Sequence, residues 1–209
     1  MLLTNVYIDG FNLFYGALKG SPYKWLDLDA VCRRLLPKHR IGRIRYFTAI
    51  VAARPQDPSG PDRQRVYLRA LETMPHVSVH LGHFLTSYVR MPLIAPPPGG
   101  PRTVGVIKTE EKGSDVNLAT YLLLDAFRRD CEAAVIVTND SDLKEPIRVV
   151  RHELGMPVGV VNPGDPRKRS RALLDVTFFK QLRPSILPAC QLPDALSDQH
   201  GTIRKPAAW

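Results

Sequence analysis

Residues 133 to 137, Ala-Ala-Val-Ile-Val, constrain the fold most, because five consecutive small or branched apolar residues predict a strand buried on both faces. The run breaks into Thr-Asn-Asp-Ser-Asp, a cluster of cap and turn formers. Apolar residues spaced three and four apart from Leu143 to Leu154 then predict a helix. Asp140 and Asp142 therefore lie on a strand-to-helix turn, the edge at which parallel α/β sheets bind ligands.

Two further carboxylates are predicted near comparable turns. A first buried strand over Leu3 to Ile8 ends in Asp9, where Gly10 lets the chain turn and Asn12 is predicted to cap a short helix. Ser114 or Asp115 is predicted to cap a long helix from Val116 to Arg129. The expected core face of that helix comprises Ala119, Leu122, Leu123, Ala126 and Phe127. Asp115 lies one helical step before this face and would point toward the sheet.

Alternating strands and helices predict an α/β fold with a central parallel sheet and helices on both faces. Residues 44–51, 77–81 and 158–161 supply further strands, and residues 173–182 a last strand or short helix. One domain over 1–182 is expected, with an inserted arm at about 84–108 that forms a loose hairpin with a flexible Pro-rich tip. Residues 183–209, which carry four prolines, are expected to form an extended tail.

The carboxylates come together if the strand over 133–137 lies beside the first strand. The crevice between the two strands would then hold Asp9, Asp140 and Asp142, with Asp115 as a fourth. Four carboxylates repel one another, and an all-oxygen ligand set without Cys or His favours Mg²⁺ or Mn²⁺ over zinc. For any one of these residues taken alone, a helix cap or a turn is the stronger interpretation.

The charge of the chain indicates a polyanionic partner. Its formal net charge is +9 and its pI is about 9.7, and Arg167, Lys168, Arg169 and Arg171 make one loop strongly basic. By default such a loop is only a solvated turn. No apolar run long enough for a membrane span and no secretory signal are evident, and three widely spaced cysteines argue against a disulfide framework. A cytoplasmic location is expected.

Three ordered motifs resemble the signature blocks of NYN domains, and in particular the LabA-like branch of the PIN-like nuclease superfamily. The motifs are Tyr7-Ile8-Asp9-Gly10-Phe11-Asn12-Leu13, Glu110-Glu111-Lys112-Gly113-Ser114-Asp115-Val116 and Thr138-Asn139-Asp140-Ser141-Asp142-Leu143. The resemblance covers roughly residues 1 to 182. It implies a PIN-like fold and a metal-dependent ribonuclease site with five matching residues: Asp9, Asn12, Asp115, Asp140 and Asp142. Lys112 and Ser141 also match motif positions, and we assign them, with the basic loop, to nucleic-acid binding.

Three hypotheses remain open from the sequence. The first is a Mg²⁺- or Mn²⁺-dependent ribonuclease with Asp9, Asp115 and Asp140 as ligands; Asp142 completes the set or orients water, and Asn12 positions an oxygen. The second is a non-catalytic RNA-binding or regulatory protein, which the presence of every expected carboxylate disfavours. The third is another phosphoester or small-molecule enzyme on the same fold. A homodimer formed through the arm is also left open.

Overall fold

The computed structural model describes residues 1–209. The strands are β1 (Leu2–Asp9), β2 (His39–Thr48), β3 (Val77–Leu81), β4 (His83–Pro92), β5 (Thr103–Lys112), β6 (Ala133–Val137), β7 (Val158–Asn162), β8 (Phe178–Gln181), β9 (Ala195–Asp198) and β10 (Gly201–Arg204). The helices are α1 (Gly10–Leu13), α2 (Leu28–Leu35), α3 (Gly60–Leu71), α4 (Ser114–Arg128) and α5 (Lys144–Arg148). π-Helical turns, Phe14–Leu18 and Val149–Glu153, continue α1 and α5.

Six strands form one parallel sheet in the order β3-β2-β1-β6-β7-β8. The chain moves outward from β1 through β2 to β3 and then returns to the other side of β1 with β6. Ile8 of β1 lies opposite Val137 of β6, so the strand order reverses at this pair. The predicted switch point between the first strand and the 133–137 strand is therefore confirmed.

Helices cover both faces of the sheet, as predicted. One face packs Val6 and Ile8 of β1 against α1, α2 and α3. The other face packs Tyr7 of β1 against α4 and α5. Alternate residues of β1 therefore enter two separate hydrophobic clusters, as the two-residue period of a strand requires. The end of β2 differs from the prediction: the strand stops at Thr48, and Gln64 of α3 binds the backbone of Ala49 and Val51 beyond it.

The predicted inner face of α4 was partly wrong. Leu118, Leu122, Asp125 and Ala126 are buried, whereas Phe127 is 76% exposed. The cause is a buried ion pair: both Asp125 oxygens accept from Arg45 of β2, at 2.8 Å each, and the Tyr7 hydroxyl donates to the same carboxylate at 2.8 Å. These bonds hold the side chain of residue 125 against the sheet, and residue 127, on the opposite side of the helix, therefore faces solvent.

The arm is a regular hairpin and not the loose one expected. β4 and β5 pair antiparallel over their full ten-residue lengths as a separate two-stranded sheet. The Pro-rich segment joins the two strands as a loop, closed by a hydrogen bond from the Leu93 backbone N–H to the Arg102 carbonyl at 2.9 Å. At its base Phe84 packs edge-to-face on Phe11 of α1, with ring centroids 5.9 Å apart. The arm therefore starts beside the end of β1.

Residues 183–209 are folded onto the domain, so the expectation of an extended tail was wrong. They form a 3₁₀ helix, Pro184–Ala189, and the antiparallel pair β9 and β10. Leu187, Leu192 and Ile203 are buried in the same cluster as α2 and α3. Trp209 packs on Trp25 and Tyr67. The prolines are compatible with this packing because each lies either in the 3₁₀ helix or outside the two short strands.

None of the helices combines the length and the apolar character needed to cross a bilayer. All three cysteines are buried and unpaired.

Candidate active site

The carboxylate of Asp9 is fixed by three donors at the end of β1. Its Oδ1 accepts from the Asn12 backbone N–H at 2.9 Å. Its Oδ2 accepts from Asn12 Nδ2 at 2.6 Å and from the Thr138 hydroxyl at 3.1 Å. Asp9 is 3% exposed. The side chain is therefore immobilised at the switch point by one residue from α1 and one from the end of β6.

The local roles around Asp9 differ from those predicted. Asp9 is the N-cap of α1, and Asn12 lies within that helix, so Asn12 is not the cap. Asn12 instead links two strand ends, because its Oδ1 accepts from the Asn139 backbone N–H at 3.1 Å. Gly10 is required by close packing: a Cβ there would lie 2.7 Å from the Phe47 carbonyl oxygen.

Asp140 begins the turn after β6. Its Oδ1 accepts from the Asp142 backbone N–H at 3.0 Å, and its own N–H donates to the Thr138 hydroxyl at 3.0 Å. This is the capping geometry that the local sequence favours, and it leaves Oδ2 without a protein donor. Ser141 and Asp142 are exposed on the same 3₁₀ turn. Thr138 therefore connects Asp9 and Asp140 directly.

Asp115 occupies the first turn of α4 and has no hydrogen-bond or ion-pair partner among the side chains. Neither predicted cap is used: the N-cap is Gly113, in a left-handed conformation with φ of 100°. Glu111 takes the capping role, since its carboxylate accepts from the Ser114 N–H at 3.0 Å and from the Ser114 hydroxyl at 2.7 Å. Asp115 is consequently free to face the crevice.

The four aspartates form one electrostatic unit. Burial, followed by the charges of Asp9, Asp140, Glu111 and Asp142, raises the pKa of Asp115 from 3.8 to about 6. Burial also raises the pKa of Asp9, and the charge of Asp140 adds to this rise, whereas hydrogen bonds from Asn12 and Thr138 oppose it. No Lys, Arg or His forms an ion pair with any of these aspartates. The site therefore carries negative charge that the protein does not neutralise.

The predicted divalent cation fits this site in charge and donor type, but the ligands are not assembled. Nowhere in the protein are three or more His, Cys, Asp or Glu side chains arranged to hold a metal ion. The reason at this site is that Asp9 and Asp140 turn oxygens toward backbone and side-chain donors. Mg²⁺ commonly takes only one or two protein carboxylates and completes its shell with water and phosphate oxygens. Asp115 and Oδ2 of Asp140, which accept no hydrogen bond from the protein, would be the carboxylate oxygens available to such an ion.

The basic loop lies on the same rim, held there by Asn139. The Asn139 side chain donates to the Lys168 carbonyl at 3.0 Å and accepts from the Ser170 N–H at 2.7 Å. Within the loop, Arg167 pairs with Asp165 at 2.8 Å. Lys168, Arg169 and Arg171 are exposed and have no ion-pair partner. Lys112, at the end of β5, lies 3.7 Å from Glu110 and not in the aspartate cluster.

Thr138, Asn139 and Glu111 are the site residues whose roles the sequence did not reveal. All three stand inside the quoted motifs, one to four positions before an aspartate. A buried hydroxyl next to a strand end, as at Thr138, is the signal that indicates a bridging role. The partners of Asn139 are about 30 residues away along the chain, and no local pattern indicates them.

The comparisons with known proteins agree with this geometry. The model of the NYN domain family matches residues 3–181, which include every aspartate of the site. The chain belongs to the NYN domain family. Its fold is therefore the nuclease-like fold of that family, and the LabA-like resemblance of its motifs is consistent with the match.

Two individual proteins are similar to this NYN chain. The 6-hydroxy-3-succinoylpyridine 3-monooxygenase HspA of Pseudomonas putida is 33% identical over 236 aligned positions, which span 100% of this chain and 75% of that protein. A Vibrio parahaemolyticus protein of unknown function has a TM-score of 0.56 and 17% identity, and covers 87% of this chain and 93% of its own. The second likeness supports the fold.

Proposed function

We propose that this NYN protein is a Mg²⁺- or Mn²⁺-dependent ribonuclease. One observation carries the proposal: unneutralised aspartates at the sheet's switch point share a rim with a basic loop that Asn139 holds in place. Cations that bind the phosphate backbone beside an acidic pocket are the arrangement that a phosphodiesterase requires. A basic surface without the aspartates would explain RNA binding but not cleavage. Aspartates without the basic loop would be explained as helix caps alone.

Each residue of the site has a proposed role in cleavage. Asp115 and Asp140 would hold the divalent ion, and Asp9, locked by Asn12 and Thr138, would fix the geometry of the pocket. Such an ion, when bound, lowers the pKa of a water and stabilises a leaving oxygen. Asp142, exposed at the rim, would accept a hydrogen bond from the attacking water. Lys168, Arg169 and Arg171 would hold the RNA backbone, and Ser141 and Lys112 would contact phosphate oxygens farther along the substrate.

The test is cleavage by the purified protein. Single-stranded RNA, hairpin RNA and DNA of matched length are incubated with Mg²⁺, Mn²⁺ or EDTA. We expect RNA cleavage with either metal and none with EDTA. Binding of the same RNAs without cleavage under any condition would support the alternative of a non-catalytic RNA-binding protein.

A second candidate function follows from the likeness to HspA. Identity of 33% across the whole chain favours a related chemistry, the monooxygenation of a substituted pyridine. The assay supplies 6-hydroxy-3-succinoylpyridine, isotopically labelled oxygen and a reduced nicotinamide, with and without flavin. Mass spectrometry follows the loss of the substrate and the incorporation of label into its products. Turnover in this assay, together with no RNA cleavage, would replace the ribonuclease proposal.

A further inference from the structure

An aromatic cavity opens beside the acidic site, on the face of the sheet covered by α1 and α3. It measures about 210 Å³. A cavity of about 150 Å³ is sufficient for benzene, so this one accommodates a single ring with a substituent. Its lining includes Gly10 and Phe11, the residues that follow Asp9. Phe11 and Tyr15 also line the neighbouring depression formed with Asn139 and Lys168, so the cavity adjoins the rim of the acidic site.

Three rings form one wall of the cavity. Tyr46 and Tyr67 meet edge-to-face with centroids 6.4 Å apart, and Tyr67 and Trp209 meet at 5.8 Å. All three rings are among the residues that line the cavity. Such surfaces attract flat aromatic ligands, for which stacking is favourable whatever the identity of the ring.

Three donor atoms in the cavity have no acceptor in the protein. Arg63 Nε is buried and donates to nothing, although the other guanidinium nitrogens bind Ser59 and Asp57. Lys24 forms no ion pair. The Tyr46 hydroxyl makes no hydrogen bond, and burial, followed by the charge of Asp9, raises its pKa, so it remains a protonated donor. Arg63 pairs with Asp57, which also lines the cavity, so Lys24 is the cation that no carboxylate neutralises. The Lys24 ammonium, the Arg63 Nε and the Tyr46 hydroxyl are therefore donors suited to an acceptor that carries negative charge.

We propose that this cavity binds a heteroaromatic ring that carries an acidic substituent. The ring would lie against Tyr46, Tyr67 and Trp209, and the acidic group would accept from Lys24 and Arg63. Two sources supply this chemistry: a nucleotide, in which the acidic group is phosphate, and a free aromatic carboxylic acid. The proposal concerns binding alone and holds whether or not the protein cleaves RNA.

The experiment is a calorimetric titration of the full chain in the absence of divalent metal and RNA. The probes are UMP and AMP in one arm, nicotinate and benzoate in the other, with uridine as the uncharged reference. Saturable binding in the first arm only identifies a nucleotide site, and binding in the second arm identifies a site for free aromatic acids; either supports the proposal. No saturable binding of any charged probe, or equal affinity for uridine and UMP, would overturn it.

Two variants test the assigned contacts. Lys24→Gln should weaken the charged probe about tenfold, because one charge-assisted hydrogen bond is lost. Lys38→Gln, the same change at an exposed surface position, serves as the matched control and should bind as the unmodified protein does. Trp209→Ala should weaken binding about tenfold through loss of ring contact, with the melting temperature confirming that the variant is folded. Full affinity in both Lys24→Gln and Trp209→Ala would refute this placement of the ligand.

Discussion

Replacing Asp115 by Asn should stabilise the metal-free protein, and the size of the effect can be worked out from the site. A rise in the pKa of Asp115 from 3.8 to about 6 corresponds to an upper bound of about 3 kcal/mol against the charged form at neutral pH. Asp115 is half-buried, so solvent screening reduces this bound. The charged form also gains ~0.3–1 kcal/mol from the N-terminus of α4. We therefore expect Asp115→Asn to raise the free energy of unfolding by about 1 kcal/mol at neutral pH.

The pH dependence follows from the direction of the shift. A carboxyl whose pKa is raised on folding favours the folded state while it is protonated, and that advantage disappears as the pH rises through 4 to 6. Asp115→Asn should therefore match the unmodified protein below pH 4 and exceed it at pH 7.5. For a chain of 209 residues, 1 kcal/mol corresponds to roughly 2–4 °C in melting temperature.

The assay is thermal unfolding at pH 4 and pH 7.5, with EDTA and with Mn²⁺. Asp62→Asn is the matched control, because Asp62 is a first-turn residue of a helix with its side chain 76% exposed. Asp62→Asn should change the free energy of unfolding by less than about 0.5 kcal/mol, and its melting temperature should therefore shift less than that of Asp115→Asn. Mn²⁺ should raise the melting temperature of the unmodified protein and have a smaller effect on Asp115→Asn. A lower melting temperature of Asp115→Asn at pH 7.5, or a gain equal at both pH values, would refute the electrostatic argument.

Three other predictions test the basic loop, the arm and the core. The double change Lys168→Ala with Arg169→Ala should weaken RNA binding and reduce the salt slope by about 1.4, since each phosphate contact contributes about 0.7; an unchanged salt titration contradicts it. Replacing residues 95–101 by Gly-Gly should leave the melting temperature unchanged and remove preference among long RNAs, whereas an unchanged cleavage pattern with an altered sedimentation mass would assign the arm to oligomerisation. Asp125→Ala should lower the free energy of unfolding by about 3–5 kcal/mol in urea, because it leaves a buried guanidinium unpaired; a loss under 1 kcal/mol would contradict that reason.

The strand ends at the switch point could be predicted because local patterns determine them. The apolar run over 133–137 and its break at a polar turn indicate a buried parallel strand without any partner information. The adjacency of β1 and β6 was the condition on which the predicted crevice depended, and the pairing of Ile8 with Val137 meets that condition. Asp9 and Asp140 were therefore correctly assigned to one edge.

The rest depended on contacts between residues far apart in sequence. Asp125 of α4 pairs with Arg45, 80 positions away, and a helical pattern alone treats such an aspartate as solvent-facing. The same contact explains why Phe127 is outside. Residues 183–209 lack strong periodicity, and their fold is stabilised by packing of Leu187, Leu192 and Trp209 against the domain. Glu111 became a cap only because Gly113 turns α4 back onto it.

The most direct measurement is single-turnover RNA cleavage by the unmodified protein and Asp140→Asn across a Mn²⁺ series. Asn keeps the Oδ1 that caps the turn and removes the negative charge, so the variant should remain folded. We expect cleavage that saturates with Mn²⁺ in the unmodified protein and falls at least about 100-fold in Asp140→Asn. Cleavage by Asp140→Asn at the unmodified rate, or cleavage of RNA that persists in EDTA, would contradict a metal-dependent site at this switch point.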